Sequence, residues 1–344
     1  MSGAGGSGRR PPLARQVVVV TGASSGIGLA TARMAAARGA RVVLAARSAD
    51  ALAEIRAGIE ADGGQAIDVP ADVGARADVE RIAARAVEAF GGFDTWVNVA
   101  GLTIYGPLGQ ISDADHERLL RTNLWGTVLG SLVAVDHFRS RGGGGLINLG
   151  SVASDLPFPF QGMYVASKHA VKGFTDALRM ELLQEGLPVA VTLVKPASVD
   201  TPLPQRARNY MEREPTLPPP VYAPEVVARA ILHAAVHPQR DIYIGGAAKL
   251  MVATKEFAPG AFDYLAPAIT AFQKRSRPPE HPEGALHAPV RAGDVRGGQG
   301  ALVLNSSAYT RASLHPLALT GLAAAGLALG AATLLGPRPR RRRL

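Results

Sequence analysis

The β-branched run Val17–Val20 passes directly into Thr21-Gly22-Ala23-Ser24-Ser25-Gly26-Ile27-Gly28, and an Ala-rich stretch from Ile27 to Arg38 follows. A short, unbroken apolar run closed by a glycine-bearing turn predicts a strand buried on both faces. The stretch after it predicts a helix. Strand, glycine turn and helix in immediate succession leave few folds open. Gly22 and Gly26 let the backbone turn tightly and approach a pyrophosphate, and Gly28 permits close packing of helix on strand. The helix N-terminus then offers N–H groups and the positive end of its dipole to phosphates. Thr21, Gly22, Ser24, Ser25, Gly26, Ile27 and Gly28 are therefore candidate dinucleotide-binding residues.

The same alternation continues to about Gly246. Strands are expected at Arg41–Ala45, Ala66–Val69, Thr95–Val99, Gly145–Leu149, Pro188–Val194 and Asp241–Ile244. Helices are expected at Asp50–Ala61, Val79–Phe90, Asp113–Arg139 (one helix or a pair), Tyr164–Gln184 and Pro224–His237. This order predicts an α/β fold, a doubly wound parallel sheet of Rossmann type in one domain over residues 15–246. Residues 1–14, rich in Gly and Ser, are expected as a disordered tail. After the domain come a weakly helical extension (247–273) broken by Pro259 and Pro267, a Pro/Gly-rich linker (274–313), a membrane helix (314–336) and an Arg-rich tail (337–344).

Leu317–Gly336 carries no charge and is long enough to span a bilayer, and Gly326 and Gly330 permit close helix pairing. Its Ala/Gly/Leu composition makes insertion only marginally favourable, and a soluble helix docked on the domain or a partner subunit is the other reading. The first twelve residues lack the apolar stretch of a secretory signal, so the expected location is membrane-associated with the folded domain in the cytoplasm, or simply cytoplasmic. A span would carry the arginines across the bilayer against the positive-inside tendency. A helix lying in the interface, with the arginines on anionic headgroups, reconciles both.

With 344 residues, 47% of them hydrophobic, the chain can bury a full core. It contains no cysteine, which excludes disulfides, thiol nucleophiles and thiolate metal sites. Of the formal charge of +9, five units are arginines at the extreme C-terminus and two are Arg9 and Arg10, which leaves +2 for the body. The basic character is therefore a property of the tails and does not point to nucleic acid. His116, His137, His169, His233 and His237 show no metal-ligand spacing, so no metal is expected.

The glycine spacing of the turn, with the motifs that follow, resembles the short-chain dehydrogenase/reductase family over roughly Gln16 to Gly246. Ala45-Ala46-Arg47-Ser48 has no acid at the end of the second strand to hold a ribose hydroxyl. Arg47 is placed to pair with a 2′-phosphate and Ser48 to donate a hydrogen bond, so NADP(H) is expected ahead of NAD(H). The resemblance implies that Asp72 and Val73 contact the adenine. It also implies that Asn98-Val99-Ala100-Gly101 closes the fourth strand over the cofactor, making Asn98, Ala100 and Gly101 cofactor residues; Val99 stands where the family has a second Asn. Within Lys195-Pro196-Ala197-Ser198-Val199-Asp200-Thr201-Pro202, the family's nicotinamide-contacting positions match Val199 and Thr201 after Pro196, with Ala197 in place of the usual Gly.

Tyr164 and Lys168 lie four residues apart on one helix face. A free tyrosine titrates near 10, and a nearby ammonium is expected to lower that value toward a usable range. Ser151, at the end of the fifth strand, is placed to hydrogen-bond a substrate oxygen. The resemblance adds that Lys168 holds the nicotinamide ribose and that Asn123 supports a water link from Lys168 to solvent. Asn123, Ser151, Tyr164 and Lys168 are the expected catalytic set. The expected substrate loop, Leu203 to Tyr222, is stiffened by Pro215, Pro218, Pro219 and Pro220. Opposite it, Leu102, Ile104, Tyr105 and the run Leu156–Phe160 suggest an apolar pocket for a hydrophobic small molecule. Dimers or tetramers are common in the family. The rival readings are a catalytically weak NADP(H)-binding scaffold or sensor, and an epimerase or dehydratase, whose glycine turn is usually spaced differently.

Overall fold

A computed structural model describes residues 10–272, 278–290, 293–298 and 302–314. Its centre is a seven-stranded sheet in the order β10-β7-β6-β4-β1-β2-β3, parallel throughout. The strands are β1 (Val17–Thr21), β2 (Arg41–Ala46), β3 (Gln65–Pro70), β4 (Thr95–Asn98), β6 (Gly144–Leu149), β7 (Val189–Pro196) and β10 (Asp241–Ile244). Four two-residue strands lie outside the sheet: β5 (Ile104–Tyr105) pairs with β8 (Arg208–Asn209), and β9 (Val221–Tyr222) with β11 (Val303–Leu304).

The valine run shows why the sheet is buried on both faces. Val18 and Val20 point into one apolar layer, where α1 (Gly26–Ala36), α2 (Ala49–Ala61) and α7 (Pro224–Val236) pack. Val17 and Val19 point into the other, against α3 (Arg76–Phe90), α5 (Gly126–Arg141) and α6 (Gly162–Gln184). A strand with period two and apolar residues at every position can satisfy both layers only if helices cover both faces. The order reverses direction between β1 and β4, and a crevice opens there beyond the carboxyl ends of the strands.

The long helical stretch expected at Asp113–Arg139 is α4 (Asp113–Leu120) and α5 joined by one π-helical turn, Arg121–Trp125. The turn leaves Asn123 fully buried. After β10 come α8 (Gly246–Phe257), α9 (Pro259–Asp263) and α10 (Ala266–Phe272), the first two parted by Pro259.

Two flanks depart from expectation. Residues 10–14, expected within a disordered tail, are docked. The Arg10 guanidinium donates to the Asp94 carbonyl, and Gln16 Nε2 bonds the carbonyls of Pro11 (2.6 Å) and Ala235 (3.1 Å). The 274–313 stretch, expected as a linker, runs over the domain in its described parts and ends in β11 and α11 (Ala308–Leu314). Its low hydrophobicity misleads because backbone hydrogen bonds to the domain add to a few apolar anchors such as Leu286, Val303 and Leu304. Among the described residues no helix is long and apolar enough to cross a membrane. Of the expected membrane helix (314–336) only Leu314 is described, as the last residue of α11; the rest of it and the arginine tail fall on residues 315–344, outside the described residues.

Candidate active site

The crevice above β1 and β4 begins at the glycine turn. Gly22 has φ +68°, and a side chain there would meet Ala100 Cα at 2.7 Å. At Gly28 a Cβ would sit 2.1 Å from the Gly22 carbonyl oxygen, so the first turn of α1 rests directly on the loop. The floor of the crevice is therefore bare backbone, the surface a pyrophosphate needs for close approach. Ser24, Ser25, Gly26 and Ile27 line it together with Gly22 and Gly28.

Thr21 and Asn98 do not face this cleft; their side chains work beneath it. Thr21 Oγ1 accepts from the N–H groups of Val99 (3.1 Å) and Ala100 (3.3 Å), which ties the end of β1 to the exit of β4. Asn98 Nδ2 donates to Asn148 Oδ1 (2.9 Å) and Ser131 Oγ (3.3 Å), and its Oδ1 accepts from Trp96 Nε1 (2.8 Å). A side chain committed to three buried partners is a structural pin, and the expected cofactor contact at Asn98 is corrected accordingly. Val99, which departs from the family motif, lines the cleft with Ala100 and Gly101.

At the adenosine end the cleft is walled by Arg47, Ser48, Asp72 and Val73. Asp72 Oδ2 pairs with Arg118 at 2.7 Å, and its Oδ1 accepts from Gly74 N–H at 2.9 Å. The Arg47 guanidinium donates to the carbonyls of Ala285 and of Leu286 (3.1 Å), and Arg118 Nε donates to the same Leu286 carbonyl at 3.1 Å. Burial holds Arg47 below its ordinary pKa, the neighbouring Arg118 adds to this, and Asp72 opposes it. Two guanidiniums thus face one carboxylate. Neither Arg118 nor the Ala285 and Leu286 carbonyls carry a signal in the sequence: only the fold brings α4 and the distant C-terminal segment to the end of β2.

At the other end, Ser151, Tyr164 and Lys168 converge. Ser151 follows β6 and caps a short 3-10 turn, its Oγ accepting from Ala153 N–H at 3.1 Å. It also hydrogen-bonds the Tyr164 hydroxyl, which works to lower that group's pKa. Burial pushes the other way and leaves Tyr164 above its ordinary value, although its ring is partly open to the cleft. Lys168 Nζ donates to the Leu149 carbonyl at 2.8 Å and lies 5.8 Å from the Tyr164 ring centre. The expected lowering of Tyr164 by the ammonium is thus not found, because the charge stands off behind the ring. Asn123 brackets Leu102, its Oδ1 accepting from the Leu102 N–H (2.7 Å) and its Nδ2 donating to the Leu102 carbonyl (2.9 Å). A third bond, to Ser167 Oγ at 3.1 Å, ties α6 to the π turn. Asn123 therefore positions the helix that carries Tyr164 and Lys168, and does not line the cleft. Pro196, Val199 and Thr201 complete the wall, with Ser198 beside them.

Burial drives the Lys168 pKa from 10.5 down to about 8. The folded state holds this proton less tightly than the unfolded chain, so between these two values unfolding takes up protons and stability rises with pH. At neutral pH the buried charge costs on the order of 3 kcal/mol. Urea unfolding of wild type and Lys168→Met should therefore show wild type gaining by that amount between about pH 8 and pH 10.5. A difference independent of pH would contradict the assignment.

The expected apolar pocket is present in part. Leu102, Tyr105 and Phe158 line the cleft, joined by Leu203, Leu217 and Pro218 of the substrate loop. Ile104 and Leu156 are instead buried in the core, and Phe160 packs on Tyr105, Ala207 and Met211.

The chain matches a family model described as short chain dehydrogenase over residues 16–212. It is 42% identical over 324 residues to the uncharacterized oxidoreductase YxnA of Bacillus subtilis, spanning 93% of this chain and 91% of that protein. A solved short-chain dehydrogenase/reductase from Burkholderia phymatum in complex with NAD superposes with TM-score 0.66 at 29% identity, covering 72% of this chain and 94% of that one. A metagenomic short-chain oxidoreductase in complex with NADP does so with TM-score 0.56 at 29% identity, covering 67% and 96%.

Proposed function

The chain is an oxidoreductase of the short-chain dehydrogenase/reductase family, and from that premise we propose that it transfers a hydride between NADP(H) and the carbonyl or alcohol carbon of a hydrophobic small molecule. One observation carries this reading. Ser151, Tyr164 and Lys168 line the same cleft whose floor is the bare glycine turn, so a proton donor and a phosphate cradle serve one elongated ligand site. The nicotinamide ring supplies or accepts the hydride when bound. Gly22, Ser24, Ser25, Gly26, Ile27 and Gly28 would hold the pyrophosphate, with Asp72 and Val73 beside the adenine and Val199 and Thr201 beside the nicotinamide.

The chain's own part is proton handling. In reduction the Tyr164 hydroxyl gives its proton to the substrate oxygen as that oxygen becomes anionic, and in oxidation it takes the proton back. A hydroxyl held above its ordinary pKa is fully protonated at neutral pH, which suits the donor role. Ser151 steadies the same oxygen through its hydroxyl. Lys168, fixed by the Leu149 carbonyl, lines the cleft beside Tyr164, where its ammonium would hold the nicotinamide ribose. A cofactor-binding scaffold would have no need of this trio. The apolar wall of Leu102, Tyr105, Phe158, Leu203, Leu217 and Pro218 favours a lipophilic substrate.

The preference for NADP(H) rests on Arg47 and Arg118 beside the carboxylate of Asp72, with no acid ending β2. Fluorescence titration of Arg47→Ala should show NADPH binding weakened roughly 10- to 100-fold, the worth of a charged hydrogen bond, and NADH binding changed by less than about threefold. Equal losses for both nucleotides would reassign Arg47 to structure alone.

A further inference from the structure

The C-terminal segment reaches back across the cleft. Residues 281–290 and 293–298 lie outside the family model, which stops at residue 212. Ala285, Pro289 and Val290 nevertheless form part of the cleft wall, facing the glycine turn and Arg47. The contact with the turn is direct: Gly26 N–H, at the N-terminus of α1, donates to the Asp294 carbonyl (2.9 Å), and Gly293 N–H donates to the Ser24 carbonyl (2.9 Å).

The seat is built from several independent features. Leu286 is 1% exposed in an apolar cluster with Leu102, Ile104, Ile111 and Leu119. His287 Nε2 lies 2.7 Å from Asp115 Oδ1 of α4. Arg206 and Arg208 of the substrate loop pair with Asp294 (3.2 Å) and Glu283 (2.5 Å). At Gly297 a Cβ would sit 2.2 Å from the Thr201 carbonyl oxygen, so only glycine lets this segment lie so close to the nicotinamide-side loop. The Leu286 carbonyl is held by Arg47 and Arg118 together.

Resting on the dinucleotide reading above, we propose that residues 281–290 and 293–298 form a strap across the adenosine half of the cleft and that its opening sets the rate of nucleotide exchange. The strap engages one N–H of the phosphate-binding turn and two arginines at the adenosine end. A nucleotide entering or leaving there must part backbone hydrogen bonds that the strap makes with the turn. The anchors are numerous but mostly polar and solvent-accessible, as suits a segment that opens locally while the sheet stays folded.

The test loads the full chain with NADPH and chases it with excess NADP⁺, following the loss of reduced-nicotinamide fluorescence. Association is measured separately by stopped flow. Leu286→Asp, which puts a charge into the apolar seat, should accelerate both association and release at least tenfold. His287→Ala, a substitution at a half-exposed latch that the fold tolerates, should accelerate both about threefold. A gate changes the two rates together and shifts the dissociation constant less than either. Unchanged rates in both variants would overturn the strap, and so would faster release with unchanged association, which describes a wall of the site and not a gate. If the wild type binds neither NADPH nor NADH, the dinucleotide reading fails and the strap with it; binding with wild-type exchange in the variants removes the strap alone.

Discussion

Replacing Tyr164 with phenylalanine should reduce turnover by roughly 10³-fold while leaving NADPH affinity within about twofold, because the change removes a proton donor and no nucleotide contact of comparable weight. The phenyl ring keeps the packing of α6 against the cleft and deletes one oxygen. Ser151 then loses its partner on Tyr164 but retains the Ala153 N–H, so the turn that carries it stays in place. Lys168 keeps its bond to the Leu149 carbonyl. What disappears is the only hydroxyl on α6 that reaches Ser151 from the cleft wall. Steady-state rates with NADPH and an accepted carbonyl, beside a fluorescence titration, separate the two effects. Near-normal turnover would mean that another group handles the proton, and the proposed chemistry would fall.

Gly28→Val should be as damaging, for a different reason. The added Cβ would stand 2.1 Å from the Gly22 carbonyl oxygen, well inside contact distance, and the neighbour is backbone that cannot swing aside. Either α1 lifts off the loop or the loop gives up its turn. Both outcomes disturb Gly22, which lies against Ala100, and with it the floor of the cleft. Overpacking of this kind costs about 1–3 kcal/mol or more, so thermal unfolding should show a clearly lowered Tm. Nucleotide binding should be lost even where the protein remains folded. A variant that melts and binds like wild type would show that the close approach of helix and loop is not needed.

The parts legible in the sequence are those fixed by local rules. The valines of β1 and the glycines after them dictate strand, turn and helix through burial and backbone geometry alone, and the same holds for most of the sheet. Tyr164 and Lys168 are readable because helical periodicity places them on one face. Residues whose roles depend on what lies across the fold are not readable in this way. Asn98 looks like a cofactor residue in its motif, yet Asn148, Ser131 and Trp96 claim its side chain from three other positions. The standoff of Lys168 from Tyr164 depends on the Leu149 carbonyl, which comes from a different element. The π turn at Asn123 carries no propensity signal; it is visible only when the bonds to Leu102 and Ser167 are seen. Residues 281–290 and 293–298 read as a linker because many of their anchors are backbone groups and charged pairs, which no apolar period reveals.

If the cleft between the glycine turn and Tyr164 is a nicotinamide dinucleotide site, titrating the wild-type chain with NADPH and with NADH, and following reduced-nicotinamide fluorescence, will show it. Saturable binding, tighter for NADPH and abolished in Gly28→Val, is the predicted result. Absence of binding by either nucleotide to the folded wild-type protein would contradict it.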